Sequence, residues 1–417
     1  MDENTLKSAV LVSVCSSGSE TDECERSLDE LERLLHTAGG EVYARVIQIK
    51  KTYDPRTVIG SGKVLEIREI CEKGSVDLVV FDLELSPMQI RNLEDDIGCA
   101  DVIDRSMLIL DIFALHATSG EGKLQVELAQ LKYTAPRLSG KGDKLSRQGG
   151  GIGTRGPGET QLESDRRHLR SKIAALESKL KEMEHNRSVM RAQRDRSRLP
   201  KIAVVGYTNA GKSTLLNRLT GAGVLAEDKL FATLDPTTRK LSLPSGETAL
   251  LTDTVGFIRK LPHHLVEAFK STLDEVTYAD ILVIVSDVTD PEVREHLEVT
   301  EGIISDLNAD DKPRIYVYNK CDKLEGVSYA VPRERTVLIS AKEGAGVDAL
   351  LSMIEDILHE SKRECTLLIP YNEQSVISNL YNTSTVLSVD YEAEGIIVRA
   401  ILGAPERGML AKYIRDT

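Results

Sequence analysis

The chain has 417 residues, too many for one ordinary core, and we expect about two to four domains. Hydrophobic residues make up 41% and charged residues 29%, as in folded globular proteins, while 12 Tyr, 5 Phe and no Trp argue against an aromatic base-stacking platform. The net charge of −13 hides a basic segment, because residues 132–201 hold 18 Lys and Arg against 8 Asp and Glu. This asymmetry indicates either a polyanion-binding segment or a solvated charged helix.

The composition also predicts a cellular compartment. No apolar run reaches about 18 residues, and the first residues lack the basic start and long apolar stretch of a secretory signal. The 6 cysteines are scattered without a Cys-x-x-Cys pair, so neither structural zinc nor a disulfide framework is expected. We therefore expect a cytoplasmic protein without a membrane span, at most peripheral to a membrane.

Residues 1–120 alternate between strand and helix patterns, which predicts a small α/β domain with a mostly parallel sheet. One helix is expected where four leucines share a face, a second near Gly62–Lys73, and a third after Ser86 and Pro87, which suit a helix cap and a first turn. The predicted strands are Val10–Val14, Glu41–Lys50 and Val76–Phe81, and the leucines are Leu28, Leu31, Leu34 and Leu35.

Residues 121–198 are expected to form a basic, coiled-coil-like helical hairpin with a Gly-rich loop. Leu124, Leu128 and Leu131 mark a first helix, and a glycine-dense stretch follows at residues 139–159. Long irregular loops of this kind are usually functional or disordered. A second helix carries a heptad seam that needs a partner, and the first helix is the expected one. The seam residues are Leu162, Leu169, Ile173, Leu176, Leu180, Met183 and Met190.

A phosphate-binding loop follows. The predicted strand Lys201–Val205 leads into Gly206–Ser213, which matches GxxxxGK[ST] and precedes a helical sequence. Glycines let backbone N–H groups wrap phosphate oxygens, and the next helix directs its N-terminus at the anion. In such a loop Lys212 reaches the terminal phosphates, and the Ser213 hydroxyl completes the coordination of Mg²⁺.

Three further segments, each at the end of a predicted strand, point to guanine nucleotides. In Asp253-Thr-Val-Gly256 the carboxylate can hold Mg²⁺ through water, and the glycine amide can bond the γ-phosphate. In Asn319–Asp322 the Asp carboxylate can accept hydrogen bonds from guanine N1–H and the 2-amino group, which adenine does not offer. A backbone amide of Ser340–Lys342 can meet guanine O6. With the P-loop, these segments predict a GTPase.

Three residues decide how hydrolysis proceeds. The segment Phe231–Arg239 offers three threonines that could sense the γ-phosphate through Mg²⁺, and spacing does not choose among them. Phe257 stands where many GTPases place a water-orienting Gln, so a slow intrinsic rate is expected unless another group or a partner positions the water. Asn209 either coordinates a monovalent cation such as K⁺ or is a plain loop residue that satisfies the backbone.

The carboxy-terminal part carries no visible chemistry. Strands are predicted at Thr366–Ile369, Thr385–Val389 and Gly395–Leu402, with a helix after the first strand and another at the end. The expected fold class is multidomain α/β, and its parts are an amino-terminal α/β domain (1–120), the helical hairpin (121–198), a P-loop GTPase domain with a mostly parallel sheet (199–364) and a small α+β domain (365–417).

On these residues the chain resembles the HflX family, in the Obg–HflX group of translation-associated GTPases, over nearly its whole length. The Gly- and Arg-containing loop Gly150–Glu159 and the Phe after Asp-x-x-Gly are specific to this family. His116 and Gly120 depart from its pattern, since many relatives carry Arg there, which changes the charge available for an RNA contact. The other segments that carry the resemblance are Ile59–Lys63, Leu85–Pro87, Val102–Arg105, Leu108–Asp111, Glu121–Leu131, Asp165–Arg167, Gly206–Ser213, Phe231–Arg239 and Asp253–Phe257.

The resemblance implies a monomeric GTPase that binds the large ribosomal subunit and its RNA and acts as a ribosome-associated, ribosome-splitting or rescue factor. It implies that the amino-terminal domain and the hairpin reach ribosomal RNA, in agreement with the basic segment. By matching position Thr233 is the Mg²⁺-sensing threonine, with Ser213 and Asp253 as the other metal-site residues, and Lys212, Thr233 and Gly256 are the catalytic residues. The implied GTP contacts are Gly206, Tyr207, Thr208, Asn209, Ala210, Gly211, Lys212, Ser213, Phe231, Ala232, Thr233, Leu234, Asp235, Asp253, Thr254, Val255, Gly256, Asn319, Lys320, Cys321, Asp322, Ser340, Ala341 and Lys342.

Two other function classes stay open. A guanine-nucleotide switch or scaffold with incidental hydrolysis and a non-ribosomal partner is favoured by Phe257, whereas the retained Asp253 and Gly256 favour turnover. Stimulation of GTP hydrolysis by ribosomal subunits would separate the two. A metabolic P-loop kinase would need an acceptor site and has no use for Asn319–Asp322.

Overall fold

The computed structural model describes residues 7–137, 157–195, 199–221, 229–232, 234–260, 270–324, 330–360 and 363–415. The chain forms two compact units. The first comprises Met1–His185, Leu225–Asp235 and Val255–Leu273, and the second comprises Asn186–Val224, Pro236–Thr254 and Asp274–Thr417. Two short segments of the range predicted for the GTPase domain thus group with the amino-terminal part. The division into four domains that was inferred from the sequence stays a prediction.

A parallel sheet with the strand order β2-β1-β3-β4 forms the centre of the first unit. β1 (Lys7–Cys15) is buried along its length after its first two residues, as an interior parallel strand requires. The other strands are β2 (Gly40–Ile49), β3 (Leu78–Phe81) and β4 (Asp101–Asp104), and every pairing in this sheet is parallel. The predicted α/β fold with a parallel sheet is confirmed.

Helices pack against this sheet. α1 (Thr21–Thr37) buries the predicted leucine face. α3 (Pro87–Ile97) starts as predicted, because Ser86 and Gln89 each bond the other's backbone N–H and proline occupies the first turn. The remaining helices of this region are α2 (Ser61–Gly74), α4 (Arg105–His116) and α5 (Gly120–Thr134).

A long helix, α6 (Pro157–Asp195), pairs with α5. Two ion pairs join them, Lys132 to Glu177 and Lys172 to Glu127, each at 2.7 Å. The described part of the predicted seam is partly or fully buried while neighbouring positions are exposed, and Leu176 is 8% exposed. The two helices therefore lie side by side along this stretch. The Gly-rich loop at residues 139–156 lies outside the described residues.

The second unit contains a six-stranded sheet in the order β10-β9-β8-β5-β7-β6. All pairings are parallel except that of the edge strand β6 with β7. The strands are β5 (Lys201–Gly206), β6 (Thr237–Ser242), β7 (Thr248–Asp253), β8 (Ile281–Asp287), β9 (Arg314–Asn319) and β10 (Thr336–Leu338). The described helices of this region are α7 (Lys212–Thr220), α8 (Lys270–Thr277), α9 (Val293–Asp306) and α10 (Val347–Glu360), and α8 belongs to the second unit only from Asp274 onward. Parallel strands end at one edge of a sheet, which collects the loops that carry the nucleotide motifs.

The same unit ends in a small antiparallel sheet of order β11-β13-β12. Its elements are β11 (Arg363–Ile369), α11 (Ser375–Thr383), β12 (Thr385–Glu392), β13 (Gly395–Leu402) and α12 (Ala404–Met409). Leu367, Val398 and Leu380 belong to its own buried cluster. The predicted α+β character of this part is confirmed.

One pair among the six cysteines is joined in the structure, which is less than a disulfide framework. Cys15 at the end of β1 and Cys24 in α1 form a disulfide, with 6.3 Å between their Cα atoms. This pair could not be inferred from the sequence, because the two cysteines are nine positions apart and belong to different elements. Among the described residues, no helix has the length and apolar character needed to cross a bilayer.

Candidate nucleotide site

The P-loop follows the central strand β5 and contains two glycines whose backbone conformation and close neighbours exclude a side chain. Gly206 has φ 143°, and a Cβ there would lie 2.1 Å from the carbonyl oxygen of Val285. Gly211 has φ 94°, and its Cβ would lie 2.2 Å from Nδ2 of Asn319. Both positions therefore need the left-handed backbone and the absent side chain of glycine. The loop is folded tightly over the edge of the sheet, and α7 begins directly after it at Lys212.

Lys212 is enclosed by the loop that precedes it. Its ammonium group donates to the carbonyl oxygens of Gly206 at 3.0 Å and Tyr207 at 2.7 Å. Burial lowers the pKa of Lys212 to about 8, against the attraction of Asp253, which raises it. In the same loop the hydroxyl of Thr208 is buried and has no hydrogen-bond partner among the described residues. The loop thus presents a buried cation and an unsatisfied hydroxyl, which are groups that phosphate oxygens could satisfy.

Ser213 and Asp253 form a pair of oxygen donors suited to a hard divalent cation. The Ser213 hydroxyl donates to Oδ2 of Asp253 at 2.6 Å, and Oδ1 of Asp253 is buried without a hydrogen-bond partner in the described part of the chain. Burial raises the pKa of Asp253 above its ordinary value. β7 brings Asp253 beside Val204 of β5, and Thr254 donates to the Val204 carbonyl at 2.8 Å. A hydroxyl and a carboxylate oxygen are ligands that Mg²⁺ prefers.

The two guanine motifs meet at Asn319. Its Nδ2 donates to the carbonyl of Ala210 in the P-loop at 2.9 Å, and its Oδ1 accepts from the backbone N–H of Ala341 at 2.9 Å. Asp322 accepts a hydrogen bond from the Ser340 hydroxyl at 2.6 Å, and this bond holds the pKa of Asp322 below its ordinary value. An ionised Asp322 can accept two hydrogen bonds from a guanine edge. Lys320 pairs with Asp287 at 2.8 Å.

Two further residues contact these segments and could not be inferred from the sequence. Arg218 in α7 donates to the carbonyls of Ala341, at 3.2 Å, and Lys342, and so supports the turn that follows β10. His296 in α9 stacks on the ring of Tyr207, with 3.7 Å between centroids and 15° between planes. Neither residue belongs to a motif, and only the three-dimensional contacts identify them.

The predicted nucleotide contacts Phe231–Asp235 belong to the first unit. Phe231 is buried with φ 57° and meets Phe113 of α4 edge to face, with centroids 4.7 Å apart. Leu234 is buried, Ala232 is half-buried, and the carboxylate of Asp235 bonds residues just before α5. Thr233 lies outside the described residues. The structure thus assigns these side chains contacts inside the amino-terminal unit, while the P-loop, Asp253, Asn319–Asp322 and Ser340–Lys342 belong to the second unit.

The residues after Asp253-Thr254 are also held within the first unit. Val255 and Phe257 are buried, and Phe257 is only 1% exposed. Lys260 donates to Asp82 at 2.8 Å and to Ser27 at 2.9 Å, and Arg105 donates to the carbonyl of Arg259 at 3.1 Å. Phe257 can neither donate nor accept a hydrogen bond and cannot orient a water molecule.

Comparisons with known proteins agree with these motifs. Three family models match in chain order: GTP-binding GTPase N-terminal at residues 25–114, GTP-binding GTPase Middle Region at 116–194 and 50S ribosome-binding GTPase at 201–320. The GTPase HflX of Caldanaerobacter subterraneus subsp. tengcongensis is 52% identical over 97% of this chain and 93% of its own length. The chain belongs to the HflX family of GTPases.

The chain is also similar to a second GTPase HflX and to one solved structure. The GTPase HflX of Escherichia coli is 43% identical over 89% of this chain and 88% of its own length. A crystal structure of a GTP-binding protein from Sulfolobus solfataricus in complex with GDP covers 84% of this chain and 98% of its own, with 26% identity and a TM-score of 0.44. As a member of the HflX family, the chain binds GTP and hydrolyses it to GDP and phosphate.

Proposed function

We propose that the protein is a GTPase that associates with the large ribosomal subunit and acts as a nucleotide-dependent ribosome-associated, ribosome-splitting or rescue factor. The match of residues 201–320 to the 50S ribosome-binding GTPase model carries this proposal. The basic segment 132–201 supports it, because its charge balance is opposite to that of the rest of the chain. Exposed cations of α6 such as Arg167, Arg170 and Lys181 offer the contacts that RNA phosphates accept.

We also propose roles for the site residues. Lys212 neutralises the terminal phosphates, and Ser213, Thr233 and Asp253 hold Mg²⁺, which stabilises the charge that develops during phosphoryl transfer. The amide of Gly256 bonds the γ-phosphate, and Asp322 reads the guanine edge while Asn319 holds the loops around it. Phe257 cannot orient the attacking water. We therefore expect that intrinsic GTP hydrolysis is slow and that the ribosomal partner accelerates it.

The ribosome proposal is tested by steady-state GTP hydrolysis with and without purified large subunits, at several salt concentrations. We expect stimulation that falls steeply as salt rises, because each phosphate contact releases counterions. The variant Arg167→Glu/Arg170→Glu should lose most of the stimulation. A matched variant with the same change in charge outside the basic segment, Lys73→Glu/Arg294→Glu, should keep it. No stimulation and no co-sedimentation in any nucleotide state would instead support a guanine-nucleotide switch with another partner.

We propose K⁺ as a second cation, held by the amide oxygen of Asn209. This residue has φ 61°, a left-handed conformation that Asn tolerates within the P-loop. A monovalent cation beside the phosphates would offset charge in the transition state. GTP hydrolysis should be faster in KCl than in NaCl at equal ionic strength, and Asn209→Gly, which also accepts this backbone, should remove the difference. Equal rates for the unaltered protein in the two salts would contradict the K⁺ proposal.

Nucleotide binding should be accompanied by proton uptake at Lys212. Burial lowers the pKa of this lysine to about 8 in the free protein, and phosphate contact favours the charged form. We therefore expect proton uptake on GDP binding that is larger at pH 8 than at pH 6.5, where more of the lysine is already charged. Calorimetry in buffers of different ionisation enthalpy measures this uptake. Lys212→Arg, which stays protonated, should show none at pH 8, and equal uptake by both proteins would exclude Lys212 as the source.

A further inference from the structure

The carboxylate of Asp235 is held by four hydrogen bonds from two consecutive residues. Its Oδ2 accepts from the backbone N–H of Thr118 at 3.0 Å, the Thr118 hydroxyl at 2.8 Å and the backbone N–H of Ser119 at 2.7 Å. Its Oδ1 accepts from the Ser119 hydroxyl. Although burial opposes ionisation, these bonds keep the pKa of Asp235 below its ordinary value. We name the group of Asp235, Thr118 and Ser119 the Asp235 anchor.

The anchor is built into the start of α5. Ser119 is the cap of this helix, and its hydroxyl accepts from the Gly122 N–H at 2.8 Å. The positive end of the helix faces the carboxylate, which favours the charged form. A Cβ on Gly122 would lie 2.5 Å from Oδ1 of Asp235, whereas a Cβ on Gly120 would meet nothing within 4 Å. The first turn of α5 is therefore shaped to admit this carboxylate at one side.

The anchor connects two parts of the first unit that have different proposed roles. On one side Asp235 lies within Phe231–Arg239, the segment predicted to sense the γ-phosphate, which we call the switch segment. Phe231 at the start of this segment contacts Phe113. On the other side α5 is the partner of α6, to which it is joined by the ion pairs at Lys132 and Glu127. A change in the position of the switch segment must therefore break the anchor or move the first turn of α5.

We propose that Thr118 and Ser119 are positioning residues for the switch segment, and that the Asp235 anchor passes the nucleotide-dependent state of this segment to the α5–α6 hairpin. The proposal deepens the proposed function, since the hairpin is the expected RNA-binding element. Thr118 and Ser119 act through Asp235. The coupling is intrinsic to the chain and operates without a ribosome, so it can be measured on the isolated protein.

Hydrogen exchange of the full-length protein tests the coupling. In the unaltered protein, replacing GDP by a non-hydrolysable GTP analogue should change exchange in residues 229–235 and in residues 118–135 together. Gly122→Ala, which places a methyl group against Asp235, should speed exchange of residues 229–235 about tenfold and remove the nucleotide response of α5. Gly120→Ala, two positions earlier in the same helix, should behave like the unaltered protein.

A second variant shows whether the loss of the nucleotide response could result from a general loss of structure. Thr118→Val/Ser119→Ala keeps the backbone donors but removes both hydroxyls, and it should weaken the nucleotide response of α5 with little change in far-ultraviolet circular dichroism. GDP affinity should stay within about twofold, because the residues that meet the nucleotide are unchanged. The proposal is overturned if α5 of the unaltered protein does not respond to nucleotide, or if the response persists in Gly122→Ala. Loss of ribosome binding alone would leave this test unaffected.

Discussion

Asp322→Asn should lower the affinity for GTP about 10²- to 10³-fold, because the carboxylate is the acceptor for two guanine donors. In the Asn variant Oδ1 can still accept from guanine N1–H, but the side-chain NH₂ faces the 2-amino group, so two donors oppose each other and neither is satisfied. Xanthine carries an oxygen in place of the 2-amino group, so the amide can bond it. We therefore expect the variant to bind and hydrolyse XTP better than GTP. Equilibrium binding of fluorescent GDP and XDP measures the change in preference.

The surroundings of Asp322 set the controls for this experiment. Asp310, which pairs with Arg314 at 2.7 Å on the surface, offers a matched change, and Asp310→Asn should alter neither affinity. Ser340→Ala removes the hydroxyl that donates to Asp322 and should have a smaller effect on GTP without creating a preference for XTP. Unchanged GTP affinity in Asp322→Asn would mean that another group reads the base.

The features that could be predicted from the sequence are those that depend on residues close to one another along the chain. The P-loop, Asp253 and Asn319–Asp322 follow strands, and parallel strands bring such ends to one edge whatever the rest of the chain does. The same holds for the seam of α6 and the cap of α3, because helical periodicity and capping act within a few residues. These features needed no knowledge of distant contacts.

The features that the sequence could not assign depend on contacts between distant residues. Arg218 supports the turn at Lys342 across 124 positions, and Thr118 meets Asp235 across 117. No periodicity links such pairs, and a single exposed Asp or Thr has many possible roles. Phe231 is an example: its position matches a nucleotide contact, while the structure places its ring against Phe113.

Arg105→Met should cause the largest loss of stability of any single substitution considered. Arg105 is 2% exposed and pairs with Asp82 at 2.8 Å and with Glu30, both of which are also buried. Arg105→Met takes a cation away from two buried carboxylates, of which Asp82 keeps Lys260. Removing one member of a buried ionic group costs about 3–5 kcal/mol. We expect a Tm lower by about 10 °C in thermal unfolding of the GDP-bound protein. Because the hydrogen bond from Arg105 to the Arg259 carbonyl is also lost, hydrogen exchange at residues 255–260 should become faster.

Variants of the same type separate the charge effect from the loss of an arginine side chain. Arg56 forms a bidentate ion pair with Asp96, but its side chain is 58% exposed. Arg56→Met should therefore have a Tm within about 1 °C of that of the unaltered protein. Adding Glu30→Gln to Arg105→Met should recover part of the loss, because one buried negative charge is then removed. Arg105→Lys keeps the positive charge but lacks the forked guanidinium. Its Tm should therefore lie between the Tm of Arg105→Met and that of the unaltered protein. If Arg105→Met unfolds within about 2 °C of the unaltered protein, this buried group does not hold α1, β3 and the segment after Gly256 together.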